Sequence, residues 1–203
     1  DTFPTAMHVA AAGVIVQSLL PSVARLRDEL AARVDDFEDI VKIGRTHLQD
    51  ATPIRLGQEL SGYAAQVGHG IKHLRAATDH LRELAQGGTA VGTGINAPAG
   101  FGDKVCQHLG KETDIEFTPA DNRFEVMSSQ DAAVALSGQL KALAVSLMKI
   151  ANDLRWMNSG PLAGIGEISL PALQPGSSIM PGKVNPVIPE AVAMVCAQVI
   201  GND

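Results

Sequence analysis

A chain of 203 residues can bury a sizeable core, and with 45% hydrophobic but only 3% aromatic residues that core must be aliphatic. The formal net charge of −6 and a pI near 5.5, without any run of Lys or Arg, exclude a nucleic-acid or anionic-membrane surface, since both need clustered positive charge. Cys106 and Cys196 lie in segments that read as helical and point to free thiols, so nothing asks for an oxidising compartment.

The opening Asp1-Thr2-Phe3-Pro4 has the pattern of a helix start, with no initiator Met, leader or membrane span before it. Val23, Leu26, Leu30, Val34 and Phe37 then recur at intervals of three and four, which puts them on one face of a helix. A long helix is expected from about Pro4, kinked near Pro21, because a proline removes one backbone hydrogen bond and crowds the preceding turn. Val41-Lys42-Ile43 reads as a brief extended piece. It leads into Gly44-Arg45-Thr46-His47-Leu48-Gln49-Asp50, a short connection well placed for a site.

Pro53 is expected to open a second helix, whose apolar stripe from Leu56 through Tyr63 and Leu74 to Leu84 extends for roughly thirty residues, about 45 Å at the standard rise. That exceeds one small core. Such a helix needs neighbours of similar length, in its own chain or in another subunit. His69 and His73 have the spacing of metal ligands, but Gly70 stands where a zinc protease carries Glu. They lie off the stripe with His80 and read as solvated, so no metal is expected.

Gly92 to Ala97 fits the glycine pattern of a dinucleotide fingerprint. The fingerprint must follow a strand and open a helix, whereas this segment follows a long helix and runs into Pro98 and Gly100. It reads as a connection. After a short helix around residues 103 to 109 and a polar stretch, Ser128 or Ser129 can cap a long helix with Asp131 in its first turn. Leu136, Leu140, Leu143, Leu147, Ile150 and Leu154 keep heptad spacing, with Ala142 and Val145 on other faces. This helix should be buried on several sides, which favours an oligomer. A last helix opens near Pro189 with Glu190 in its first turn, where a carboxylate complements the helix dipole.

Between these two helices lies Gly176-Ser177-Ser178-Ile179-Met180-Pro181-Gly182-Lys183-Val184-Asn185-Pro186. Met-Pro-Gly can continue neither a helix nor a central strand, so this is a loop. Lys183 and Asn185 sit two apart and point the same way in extended chain, an ammonium beside an amide donor that suits a carboxylate. It is no Walker loop, because the spacing of Gly176 and Gly182 is too long and Val184 follows the lysine.

This loop resembles the signature of the fumarase/aspartase superfamily, and the Gly44 to Pro53 segment resembles a second active-site region of the same family. The resemblance runs from Asp1 to Asp203 and is closest to the class II fumarases. It implies an all-α fold, a long-helix bundle with very little strand, and an interior piece: residues 1–203 as the central helical domain, with N-terminal and C-terminal regions lying outside the chain.

It further implies a fumarate hydratase that needs no cofactor and acts on a small dicarboxylate, fumarate or malate. The enzyme would be a homotetramer whose active sites take segments from three subunits, with neither nucleic acid nor membrane as partner. Ser177 matches the family's base on carbon, and Glu190 the acid that orients and charges the histidine. Thr46, Ser178, Lys183, Val184 and Asn185 match substrate-binding positions. His47 fits the proton donor to the leaving hydroxyl, a role that histidine commonly performs, directly or through water.

His47 and Gly182 also separate relatives, since aspartases carry Gln and Ala there. The continuation Val187-Ile188-Pro189-Glu190 occurs in aspartase-like sequences, so an aspartate ammonia-lyase, or another fumarate-releasing lyase of the superfamily, is the alternative. From another class, the heptad stripe alone would suit a helical assembly module without activity. The thiols and net charge suggest a cytoplasmic location, and a mitochondrial address would lie in a segment preceding this one.

Overall fold

The computed structural model describes residues 1–203, and its chain contacts divide into two compact units, Asp1–Gln139 and Leu140–Asp203. Helix dominates. Strand is confined to two small two-stranded sheets, as an all-α fold requires.

In the first unit, α1 (Thr2–Val14), a wide π turn (Ile15–Leu19) and α2 (Leu20–Asp36) form one uninterrupted helical run. The kink expected at Pro21 is replaced by that wide turn, which gives the proline ring room where an ordinary turn would press it against the preceding carbonyl. Of the predicted stripe on α2, Val23 is buried while Leu26 is 40% exposed. The run packs along α3 (Leu56–Leu81), which supplies the centre of the core. Leu60, Tyr63, Val67, Ile71, Leu74 and Leu81 are each at most 5% exposed, so the helical stripe read from the sequence is the buried face. His8 is buried too, its Nδ1–H donating to the Glu83 carbonyl at 3.0 Å, which satisfies the polar group.

Between α2 and α3 the structure departs from the sequence reading. Val41–Thr46 (β1) and Gln49–Arg55 (β2) form an antiparallel hairpin, with Pro53 opposite Ile43 inside β2 rather than at the start of a helix. A two-stranded sheet has only edges, so a proline is tolerated in it. The register shifts between Ile43 and Arg45, an irregularity centred on Gly44, where an added Cβ would sit 2.8 Å from the Thr52 carbonyl oxygen.

Two ion pairs hold the hairpin's base. Lys42 pairs with Glu59 of α3, and Arg55 with Glu38 just beyond α2. The Gln58 side chain accepts from the Arg55 N–H at 3.0 Å, which fixes where α3 begins.

After α3, a two-residue strand β3 (Glu83–Leu84) leads into the glycine-rich turns of residues 87–97, an irregular connection as expected. The helix that follows, α4, is longer than predicted (Phe101–Thr113) and leads to β4 (Thr118–Pro119), which pairs with β3 in parallel. A further helix that periodicity did not reveal, α5 (Arg123–Ser128), is capped by Asn122, whose side-chain oxygen accepts from the Phe124 and Glu125 N–H groups at 3.1 Å. Ser128 therefore ends one helix instead of capping the next.

Helix α6 (Asp131–Met157) begins in the first unit and continues into the second, where α7 (Val187–Asn202) follows a long loop. Leu143, Ile150 and Met157 of α6 are buried as their heptad positions require, but Val145 is 53% exposed. One chain cannot cover every side of a helix that is apolar nearly all round. Met194 and Val195 of α7 stand similarly open. By length and composition alone, two helical spans, Thr2–Asp36 and Asp131–Met157, could cross a membrane, although no such span was read from the sequence. Core helices of an oligomer have the same composition.

Candidate active site

Thr46 ends β1 opposite Gln49, so the hairpin closes through His47 and Leu48 alone. Both have positive φ, 52° and 61°, the two-residue turn whose twist matches that of the flanking strands. Thr46, His47 and Leu48 are all exposed. The imidazole is thus presented at the tip of a projecting hairpin and not, as the sequence suggested, in a plain connection between helices.

The second group lies on the loop before α7. Gly176 bridges to Pro181 across the loop and has φ 82°, and a Cβ there would lie 2.3 Å from the Lys183 carbonyl oxygen. Only glycine permits that approach. The Lys183 N–H donates to the Met180 carbonyl at 3.0 Å, which closes the Met-Pro-Gly turn. Ser177 is half-buried, and its hydroxyl oxygen accepts from the Ile179 N–H at 3.3 Å, while Ser178 is exposed.

The Lys183 Nζ donates to the Asn185 Oδ1 at 3.1 Å. Ammonium and amide therefore stand together, as their spacing of two predicts, with the amide NH2 left to donate outward. The backbone N–H of Val184 is committed differently: it donates to the Gly182 carbonyl at 3.1 Å. A ligand can recruit it only if the loop shifts.

Glu190 lies in the first turn of α7, half-buried, its own N–H donating to the Pro186 carbonyl at 3.2 Å. It borders an open cleft of about 380 Å³ with Asn152, Arg155, Trp156, Asn158 and Ser159. The Arg155 guanidinium donates to the Asn152 Oδ1 at 3.1 Å. Arg155 went unnoticed in the sequence because what links it to Glu190 is a fold, not a spacing.

Thr46 and His47 thus belong to the first unit; Ser177, Ser178, Lys183, Val184, Asn185 and Glu190 belong to the second. The chemistry on offer is a hydroxyl on a glycine loop, a cation with an amide for an anionic group, an accessible imidazole and a carboxylate at a helix start. Both thiols are poor nucleophiles by contrast. Burial pushes Cys106 and Cys196 up from their ordinary values, with the Asp103 charge adding to the effect at Cys106. His69, His73 and His80 are exposed, and no group of three or more His, Cys, Asp or Glu is placed to hold a metal ion.

A lyase family model matches residues 1–201. A class II fumarate hydratase of Ralstonia nicotianae is 61% identical over the whole chain, which covers 44% of that protein. Fumarate hydratase 2 of Arabidopsis thaliana is 54% identical over the whole chain, which covers 40% of its length. The chain thus spans less than half the length of these curated relatives. Among solved structures, the class II fumarase of Schistosoma mansoni superposes with a TM-score of 0.96 at 41% identity, covering all of this chain and 45% of that one.

Proposed function

Because the chain belongs to this lyase family, we propose that it is the central part of a longer class II fumarate hydratase, which adds water to fumarate reversibly and anti to give L-malate. The observation that carries this reading is the glycine loop in which the Lys183 ammonium donates to the Asn185 amide oxygen at 3.1 Å, the same loop that carries Ser177. The names of the relatives support it. The reaction would be a step of the tricarboxylic acid cycle, in the cytoplasm by the free thiols and net charge.

In the dehydration direction, a Ser177 alkoxide takes the proton from the carbon beside one carboxylate of malate. The electron pair moves into that carboxylate, making a dianionic aci-carboxylate, which Lys183 and Asn185 are positioned to hold. The pair then returns to form the double bond, and the carbon–oxygen bond breaks. His47 protonates the departing hydroxyl, directly or through water, so that it leaves as water. Glu190 matches the family's acid that orients and charges the histidine, and takes that part in this reading. Thr46, Ser178 and Val184 complete the grip on substrate, Val184 through an N–H that must first leave Gly182.

We further propose a homotetramer whose sites draw on several subunits, since Val145, Met194 and Val195 leave apolar surface open on a single chain. The test is the absorbance of fumarate formed by the full-length enzyme from L-malate and, separately, from L-aspartate, each beside His47→Gln. Malate turnover that His47→Gln lowers about 100-fold or more, with none on aspartate, is the expected result. Turnover of aspartate alone moves the assignment to the ammonia-lyases, and none on either substrate leaves another fumarate-releasing lyase of the superfamily or an assembly module.

A further inference from the structure

The two-residue turn at the hairpin tip is built from unsuitable residues. Positive φ at both positions favours Asn-Gly or Gly-Gly, because the left-handed region crowds any residue that carries a Cβ. Leu48 sits there at φ 61° and is also 58% exposed, so it gains little burial to offset its backbone conformation. The base of the hairpin, meanwhile, is pinned through Lys42 to Glu59 and through Arg55 to Glu38. With the base fixed, the freedom that remains in His47 is the freedom of the turn. Glycine in the second position would relieve the crowding but open a wide range of φ and ψ, whereas a residue with a Cβ, kept left-handed by the pairing of Thr46 with Gln49, is confined to the narrow well of that region.

We propose that Leu48 is a positioning residue: a Cβ-bearing residue at the second turn position gives up folding stability to hold the His47 backbone in one orientation. This inference rests on the role given to His47 above. It separates turn rigidity from any contact the isobutyl group makes, because alanine keeps the Cβ while glycine removes it.

The experiment compares Leu48→Gly and Leu48→Ala in the full-length enzyme by steady-state kinetics on malate and by thermal unfolding. For Leu48→Gly the thermal midpoint should hold or rise by about 1 to 3 °C as crowding is relieved. Its kcat should fall roughly 10- to 100-fold, the cost of a catalytic group displaced by about 1 Å, with KM changed less than about threefold. Leu48→Ala should stay within about threefold of the wild type, since it keeps the restriction on φ.

A merely structural residue would not let kcat fall while stability holds or rises. The proposal is overturned by a Leu48→Gly enzyme with unchanged kcat, by one that loses midpoint and kcat together, or by Leu48→Ala as slow as Leu48→Gly. A wild-type enzyme inert on malate and fumarate would instead refute the functional reading itself.

Discussion

Ser177→Ala in the full-length enzyme is expected to lower kcat for malate dehydration by about 10²- to 10⁴-fold, the range over which a positioned proton-transfer group acts. Ser177 is half-buried on the glycine loop, and its one hydrogen bond is a long one, 3.3 Å from the Ile179 N–H. Loss of that bond costs at most about 1 kcal/mol, and alanine fits wherever serine does. The fold is therefore expected to survive, with a thermal midpoint within a few degrees of the wild type. Serine is a weak base until its alkoxide is stabilised, and the cation carried by the same loop, Lys183, is the group proposed to do so. The assay is fumarate absorbance with the unfolding curve measured in parallel. Unchanged turnover would remove Ser177 from the proton-abstraction step.

Lys183→Met should have an effect of similar size on a different stage. The dianionic aci-carboxylate concentrates charge that the ground-state substrate lacks, so a cation aimed at it acts mainly in the transition state. Removing one such group costs roughly 3 to 4 kcal/mol, or about 10²- to 10³-fold in kcat. Lys183 is exposed, and its side-chain bond within the chain is the one to Asn185 at 3.1 Å. Stability should hardly change. Lys183→Arg keeps the charge with a planar fork and should recover only part of the rate. Loss expressed in KM alone, with kcat intact, would make Lys183 a ground-state anchor and nothing more.

What could be read in the sequence followed from local period and spacing. The α3 stripe was legible because a buried helical face repeats every three to four residues over 26 residues, and all six of the core residues named above fall on it. The Lys183–Asn185 pair was legible because a spacing of two in extended chain fixes relative direction. The β1–β2 hairpin was not, because its turn is His-Leu where a hairpin usually announces itself with Asn-Gly, and because Pro53 imitates a helix start. Helix α5 is six residues long and too short to show a period. The π turn before Pro21 and the Gly182 partner of the Val184 N–H depend on backbone geometry that residue types do not encode. The cleft joining Glu190 to Arg155 brings together residues far apart in the chain.

The most direct test of a site that unites the hairpin tip with the glycine loop is to mix subunits. His47→Gln and Ser177→Ala full-length enzymes, each inactive alone, would be dissociated, combined in equal amounts and reassembled, and malate turnover measured. If one site takes His47 from one subunit and Ser177 from another, random mixing restores roughly a quarter of the wild-type activity, because each position is intact in half of the chains. Hybrid tetramers that form but stay inactive would contradict a site shared in this way.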